Sequence, residues 1–157
     1  MNVRALQDAF VVRIEREFAD WQYVALRRHL RKRFPGGDWL IHFAFVNHPA
    51  DFDVVVDVAV QFAARGNLCI IGASLGNIEG SGQARYNVST EAEANASAAR
   101  AAAHFQRVGL PFLEHYSEVA NVLACLKQGG PGARLISPLE HLHIQQIAVL
   151  ESLSHAV

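Results

Sequence analysis

"WLIHFAFVNHPADFDVVVDVAVQF", residues 39–62, is built from two alternating runs joined by a short polar interruption. In the first, Trp39, Ile41, Phe43 and Phe45 occupy every second position; in the second, Phe52, Val54, Val56, Val58, Val60 and Phe62 do. Successive side chains of a strand point to opposite faces, so each run reads as a strand with one apolar face. "NHPAD" (47–51) is short and rich in turn formers, which makes an antiparallel hairpin the economical pairing. Upstream, "PGGD" (35–38) is a second turn signal. Before it, Val24, Leu26, Leu30 and Phe34 alternate with Arg27, His29, Arg31 and Arg33, which predicts a third strand with one wet face; a helix continuing through this segment is the competing reading. Pairing Phe34 with Trp39, and Phe45 with Phe52, brings the apolar faces of all three strands to one side, as burial of that side requires.

Outside this block the period changes. Val3, Leu6, Phe10, Ile14 and Phe18 form the stripe of an amphipathic helix over residues 3–18. "LCIIGASL" (68–75) fits a further strand, followed by a glycine-rich loop "GNIEGSGQ" and a short strand near "ARYNV". The rest reads as helix. Thr90 and Glu93 stand at capping-box spacing ahead of an alanine-rich run, which "GLPFLEHYS" (109–117) is expected to break. Ser117 is expected to cap a helix reaching about Lys127 and ended by "QGGPG", and Ser137, Pro138 and Glu140 to open a last helix running to Leu153. The expected fold is a single α+β domain over residues 1–157. It has one antiparallel sheet of four to five strands, with helices from both termini packed on one face.

Bulk properties exclude several classes. At 157 residues, 51% hydrophobic and 18% charged, the chain has an ordinary globular balance, and a formal net charge of -1 gives no global attraction to nucleic acid or anionic lipid. The cations are mostly arginine, which with the many alanines associates the sequence with bacteria of high GC content. Residues 1–18 carry charges throughout and do not read as a signal peptide, and no apolar run approaches the roughly 18 residues of a membrane span, so a cytoplasmic protein is expected. Cys69 and Cys125 lie far apart in apolar surroundings and read as reduced core thiols.

Functional candidates concentrate on the polar face of the predicted sheet. In the register above, Arg31 lies beside His42, and His42 opposite Val55 with Asp53 and Asp57 diagonal to it. Arg27, Arg31, Arg33, His42, Asp53 and Asp57 are therefore the candidate binding residues, a basic strand facing an acidic one. A metal reading is restricted to His48, Asp51 and Asp53 around the turn, because His42 and His48 are roughly 20 Å apart along an extended strand at about 3.3 Å per residue. The basic run "RRHLRKR" (27–33) raises nucleic-acid binding as a weaker alternative, since a strand turns only alternate cations to one side. "GASLGNIEGSG" matches neither phosphate-binding fingerprint, no serine sits in G-x-S-x-G, and His141 and His143 point to different faces of a helix. Glu114, His115, Tyr116 and Glu118 could form an acid–base group beside the break, with His104 on its other flank. No residue is assigned as catalytic, and no cofactor is expected.

The ordered segments, an N-terminal helix, "RKRFPGGDWLIHFAFVNHPADFDVVVDVAVQF", "IGASLGNI" and "GLPFLEHYS", resemble short bacterial α+β proteins of the domain-of-unknown-function type. Some members of such groups resemble immunity proteins, which bind and block a toxin. The resemblance implies the fold; the charged sheet face and the lack of a coherent catalytic constellation make a non-catalytic protein-binding module, immunity-like in kind, the expected function, with a small metal-dependent or ligand-binding enzyme using the 48–53 turn as the alternative. The expected partner is another protein, with self-association through the C-terminal helix as an alternative and no membrane involved.

Overall fold

The structure, a computed structural model, describes residues 1–64 and 66–154. The N-terminal stripe folds as α1 (Val3–Glu17). Asn2 caps it, its side chain accepting from the Ala5 N–H at 2.8 Å, and Leu6, Phe10 and Ile14 are the buried side. The chain then forms β1 (Gln22–Val24), a 3-10 turn (Ala25–Arg27), β2 (His29–Phe34), β3 (Gly37–Asn47), β4 (Phe52–Ala64) and β5 (Asn67–Ser74). A short helix α2 (Leu75–Glu79) leads to β6 (Tyr86–Val88). The helical half comprises α3 (Glu91–His104), a π-helical turn (Phe105–Gly109), α4 (Leu110–Tyr116), α5 (Val119–Gln128), α6 (Gly130–Ile136), a 3-10 turn (Glu140–Leu142) and α7 (His143–Ser154).

All pairings are antiparallel, in the order β1-β2-β3-β4-β5, with β6 on the far end of β4. The expected α+β class holds, with six strands instead of four to five. One side of the sheet carries Leu30, Ile41, Phe43, Val54, Val56, Val58, Val60, Phe62 and Ile71, all buried against helices from both ends of the chain. Phe10 is fully buried and meets Phe43, Phe45 and Phe52 edge-on, at 5.8, 6.0 and 6.3 Å between centroids. Ala94, Ala98 and Ala101 on α3 are buried, and their small side chains let that helix lie close against α1. On the open edge, the Gln146 side chain of α7 donates to the Ile70 carbonyl of β5 at 3.4 Å, engaging a backbone group that a bare edge would leave exposed.

Several expectations need correction. The strand expected up to Phe34 is two strands. Arg28 adopts a left-handed conformation (φ 49°), so Gln22–Val24 folds back on His29–Arg31. Each hairpin register is displaced by two residues: Phe34 pairs with Gly37 and Asn47 with Phe52. The first turn tightens to Pro35 and Gly36 because Gly37 enters the sheet, where a Cβ would lie 2.0 Å from the Gln61 carbonyl oxygen. In the second, the His48 N–H donates to the Asp51 carbonyl at 2.9 Å and closes the loop over residues 48–51, so this turn tightens too. A shift of two keeps side chains on their faces, so the apolar side survives the error.

"GLPFLEHYS" does not break the helix. Pro111 has no N–H to continue an α-helical ladder, and the π-helical turn just before it takes up the change, the Leu110 N–H donating back to the Phe105 carbonyl. Gly109 is required there, since a Cβ would lie 2.6 Å from the Phe105 ring. Ser117 is no N-cap. It accepts from Trp39 Nε1 at 2.7 Å and donates to the Leu113 carbonyl at 2.6 Å, while Glu118 precedes α5 without a side-chain cap. "QGGPG" does end α5, with Gly129 as its C-cap, but the chain turns at once into a further helix that was not expected, α6. Ser137 donates to the Gln146 side chain at 2.8 Å, and α7 starts only at His143 after the 3-10 turn. The loop after β5 begins with α2, capped by Ser74.

Candidate functional site

The polar face of β2 and β3 gathers most of the predicted binding residues. Because His29 pairs with His42, and His42 with Asp57, these three form one row across the sheet. His42 Nδ1 lies 3.7 Å from Asp57 Oδ2, so Asp57 stands directly opposite His42 and not diagonal to it. The next rows are Arg31–Leu40–Ala59 and Arg33–Asp38–Gln61. Arg27, His29, Arg31, Asp38, Leu40 and Gln61 line one shallow hollow of about 290 Å³. Arg27, Arg31, Arg33 and His42 are exposed. Arg33 is held loosely by Asp38 at 3.9 Å, whereas Arg27 and Arg31 make no ion pair among the described residues. His29 is pushed toward its neutral form first by burial, then by the positive charge of His42, Arg27 and Arg31.

The cations of residues 27–33 divide between two sides. Lys32 and Arg28 do not join the hollow; Lys32 sits 6.0 Å over the Trp21 ring and Arg28 4.9 Å over Phe45. The basic patch thus combines the alternate residues of β2 with Arg27 from the 3-10 turn, and is thinner than the run of letters suggests.

Asp53 is not part of this patch. It pairs with Val46 at the other end of β4, roughly 20 Å along the strand from the Arg31 row at about 3.3 Å per residue. There it accepts from Asn87 Nδ2 at 3.0 Å, and His48 Nε2 and Arg85 Nη1 lie at 3.2 and 3.7 Å from its other oxygen. The Asn87 hydrogen bond, followed by the His48 and Arg85 interactions, holds its carboxyl below the usual range. His48 and Asp53, two of the three candidate metal ligands, are therefore in contact. No group of three His, Cys, Asp or Glu side chains able to hold a metal converges among the described residues, so Asp51 does not complete the set. In the Glu114–Tyr116 group, the His115 ring packs edge-on against Tyr116 at 4.7 Å between centroids, Tyr116 donates to Cys125 Sγ at 3.8 Å, and the His115 backbone carbonyl is held by Asn121 at 2.8 Å. Both cysteines are free thiols, and burial pushes Cys69 up to about 11.

Sequence reasoning missed one polar cluster. His104, at the end of α3, is buried between Tyr86 of β6 and Glu79 of α2, with Arg107 paired to the same Glu79. His104 Nε2 lies 2.9 Å from Glu79 Oε2, and a carboxylate only accepts, so this nitrogen carries the proton in the neutral ring and Nδ1 accepts from the Tyr86 hydroxyl. Arg107 first, and His104 second, hold Glu79 below the usual carboxylate range. A Tyr–His–Glu chain resembles a proton relay, but burial raises the Tyr86 phenol above its ordinary value and its proton is committed to His104. The arrangement ties three elements together and offers no activated nucleophile. No spacing in the sequence marks it; the only local sign is His104 at the end of an alanine-rich helix.

Among the described residues, no helix is long and apolar enough to cross a membrane. Comparison with protein-family models, curated proteins and solved structures finds no match to this chain.

Proposed function

We propose that the chain is a non-catalytic binding module that engages an acidic protein surface through the outer face of β1, β2 and β3. One observation carries the reading: Arg27 and Arg31 stand exposed on one wall of the sheet without a carboxylate partner among the described residues. β2, paired on both sides, presents Arg31 at a fixed position, and Arg27 stands beside it on the 3-10 turn, which favours steering and specificity for a complementary surface. Arg33, His42 and Asp57 extend the same face. The immunity-like resemblance of the sequence names one kind of partner, a toxin blocked in the cytoplasm of its host.

The test is native mass spectrometry of the untagged protein purified at low salt without chelator, followed by affinity measurements on the co-purifying chain. Replacing Arg27 and Arg31 together by Glu should weaken that complex by roughly a hundredfold or more and flatten its salt dependence, with the thermal midpoint unchanged. A metal or small-molecule adduct in place of a polypeptide, or an affinity indifferent to the double replacement, overturns the reading.

A further inference from the structure

A second, separate groove of about 620 Å³ lies between α1 and the β1–β2 turn. Its size falls within the range of about 300–1,000 Å³ typical of small-molecule sites. Val11, Val12 and Phe45 supply apolar wall, Tyr23 contributes a ring with a hydroxyl, and Arg4, Asp8 and Arg28 bring charge. Among the described residues, neither Arg4 nor Arg28 pairs with a carboxylate, in contrast to Arg13, Arg33, Arg85, Arg107 and Arg134. The Tyr23 hydroxyl makes no hydrogen bond among the described residues either.

Arg28 is held at the turn between β1 and β2 by backbone and ring contacts. It is the only non-glycine residue at positive φ among the described residues, and its carbonyl accepts from the Phe43 N–H at 3.0 Å, which anchors the turn to β3. The guanidinium carbon rests 4.9 Å from the Phe45 ring centroid. A guanidinium lying on a ring is held by its face and keeps its in-plane N–H edge for a carboxylate. The larger groove beside β5, about 660 Å³, lacks this feature: its Arg134 is taken by Glu140 and its Ser137 by Gln146.

We propose that the groove between α1 and the β1–β2 turn binds a small amphipathic carboxylate, its apolar body on Val12 and Phe45 and its charge between Arg4 and Arg28. Charge complementarity selects the anion. The two arginines that line the groove outnumber its one acidic lining residue, Asp8, although the Glu15 carboxylate also acts on Tyr23. A neutral Tyr23 hydroxyl adds a donor at the same wall, since burial raises that phenol above its ordinary value. The site is independent of the arginine face proposed above and draws on none of its residues.

The test is a titration of the full chain with naphthalene-2-carboxylate, followed by amide chemical shifts. Saturable shifts are expected at Tyr23, Arg28 and Phe45. Arg4→Gln, an exposed helical substitution, and Arg28→Asn, which retains a residue tolerant of the left-handed conformation, should each weaken binding by roughly tenfold, the size expected for a lost charge-assisted hydrogen bond. Asp8→Asn should tighten it. Naphthalene-2-methanol, of the same shape without the charge, should bind at least tenfold more weakly than the acid. Absence of saturable shifts, equal affinity for the alcohol, indifference to Arg4→Gln, or shifts confined to the β5 groove each overturn the proposal.

Discussion

Replacing Phe10 by Ala tests whether α1 is held to the sheet by the aromatic contact described above. The side chain is fully buried and touches three rings from β3 and β4 at centroid distances of 5.8, 6.0 and 6.3 Å. Truncating a buried Phe costs about 3–5 kcal/mol, from lost transfer energy and the cavity left behind. Edge-on ring pairs add about 0.5–1.5 kcal/mol each beyond area, partly counted already within that range, so about 4 kcal/mol is the expected loss. For a chain of 157 residues this corresponds to a fall in Tm of about 8–16 °C, at about 2–4 °C per kcal/mol. Phe10→Leu keeps most of the apolar volume but none of the ring pairs, and should cost only about 1–2 kcal/mol. Equilibrium unfolding in guanidinium chloride, followed by far-UV circular dichroism, reads both, with an unchanged m-value showing that the unfolded state is not the cause. A loss under about 1.5 kcal/mol for Phe10→Ala, or equal losses for Ala and Leu, would refute the assignment of this ring as the anchor of α1.

Two further outcomes follow from single polar contacts. Ser117→Ala removes the acceptor of Trp39 Nε1 and the donor to the Leu113 carbonyl, and should cost about 1–3 kcal/mol with a change in tryptophan emission; unchanged stability and emission would mean that the hydroxyl does not hold the indole. The depressed Asp53 carboxyl contributes stability above its unfolded-state value near 3.9, and that stability is lost as pH falls through the lower folded-state value. Acid unfolding should therefore shift to a shallower pH dependence below about pH 4 in Asp53→Asn, and superimposable acid profiles would remove Asp53 from the linkage.

The alternation of residues 39–62 and the stripe of residues 3–18 are local signals, written in the order of side chains along a single segment. They determined that a strand or a helix forms and which side it buries, and the structure keeps both faces. The Thr90 cap was legible for the same reason: its side chain accepts from the Glu93 N–H at 3.1 Å, three residues away. The strand part of the arginine face was legible as well, because the parity of His29, Arg31 and Arg33 survives any register shift by an even number, whereas Arg27 reaches the same hollow from the 3-10 turn.

What only the tertiary structure decided are the relations between segments. Moving each hairpin by two residues leaves every face intact, so the alternation is silent on register. That choice was made by the approach of Gly37 to the Gln61 carbonyl and by the turn closed at His48, and it placed Asp57 against His42. The same holds for Pro111, which the sequence marks as a break. Packing kept the helix going through a π-helical turn, where Gly109 leaves room for the Phe105 ring. Asp53 left the arginines for Arg85 and Asn87 beside its near neighbour His48, and His104 found Tyr86 and Glu79; apart from His48, these partners are 18 or more residues away, where no sequence period operates. A strand or helix follows from neighbouring side chains alone, whereas a site depends on which distant backbone segments pack together, and that is determined by shape and burial summed over the whole core.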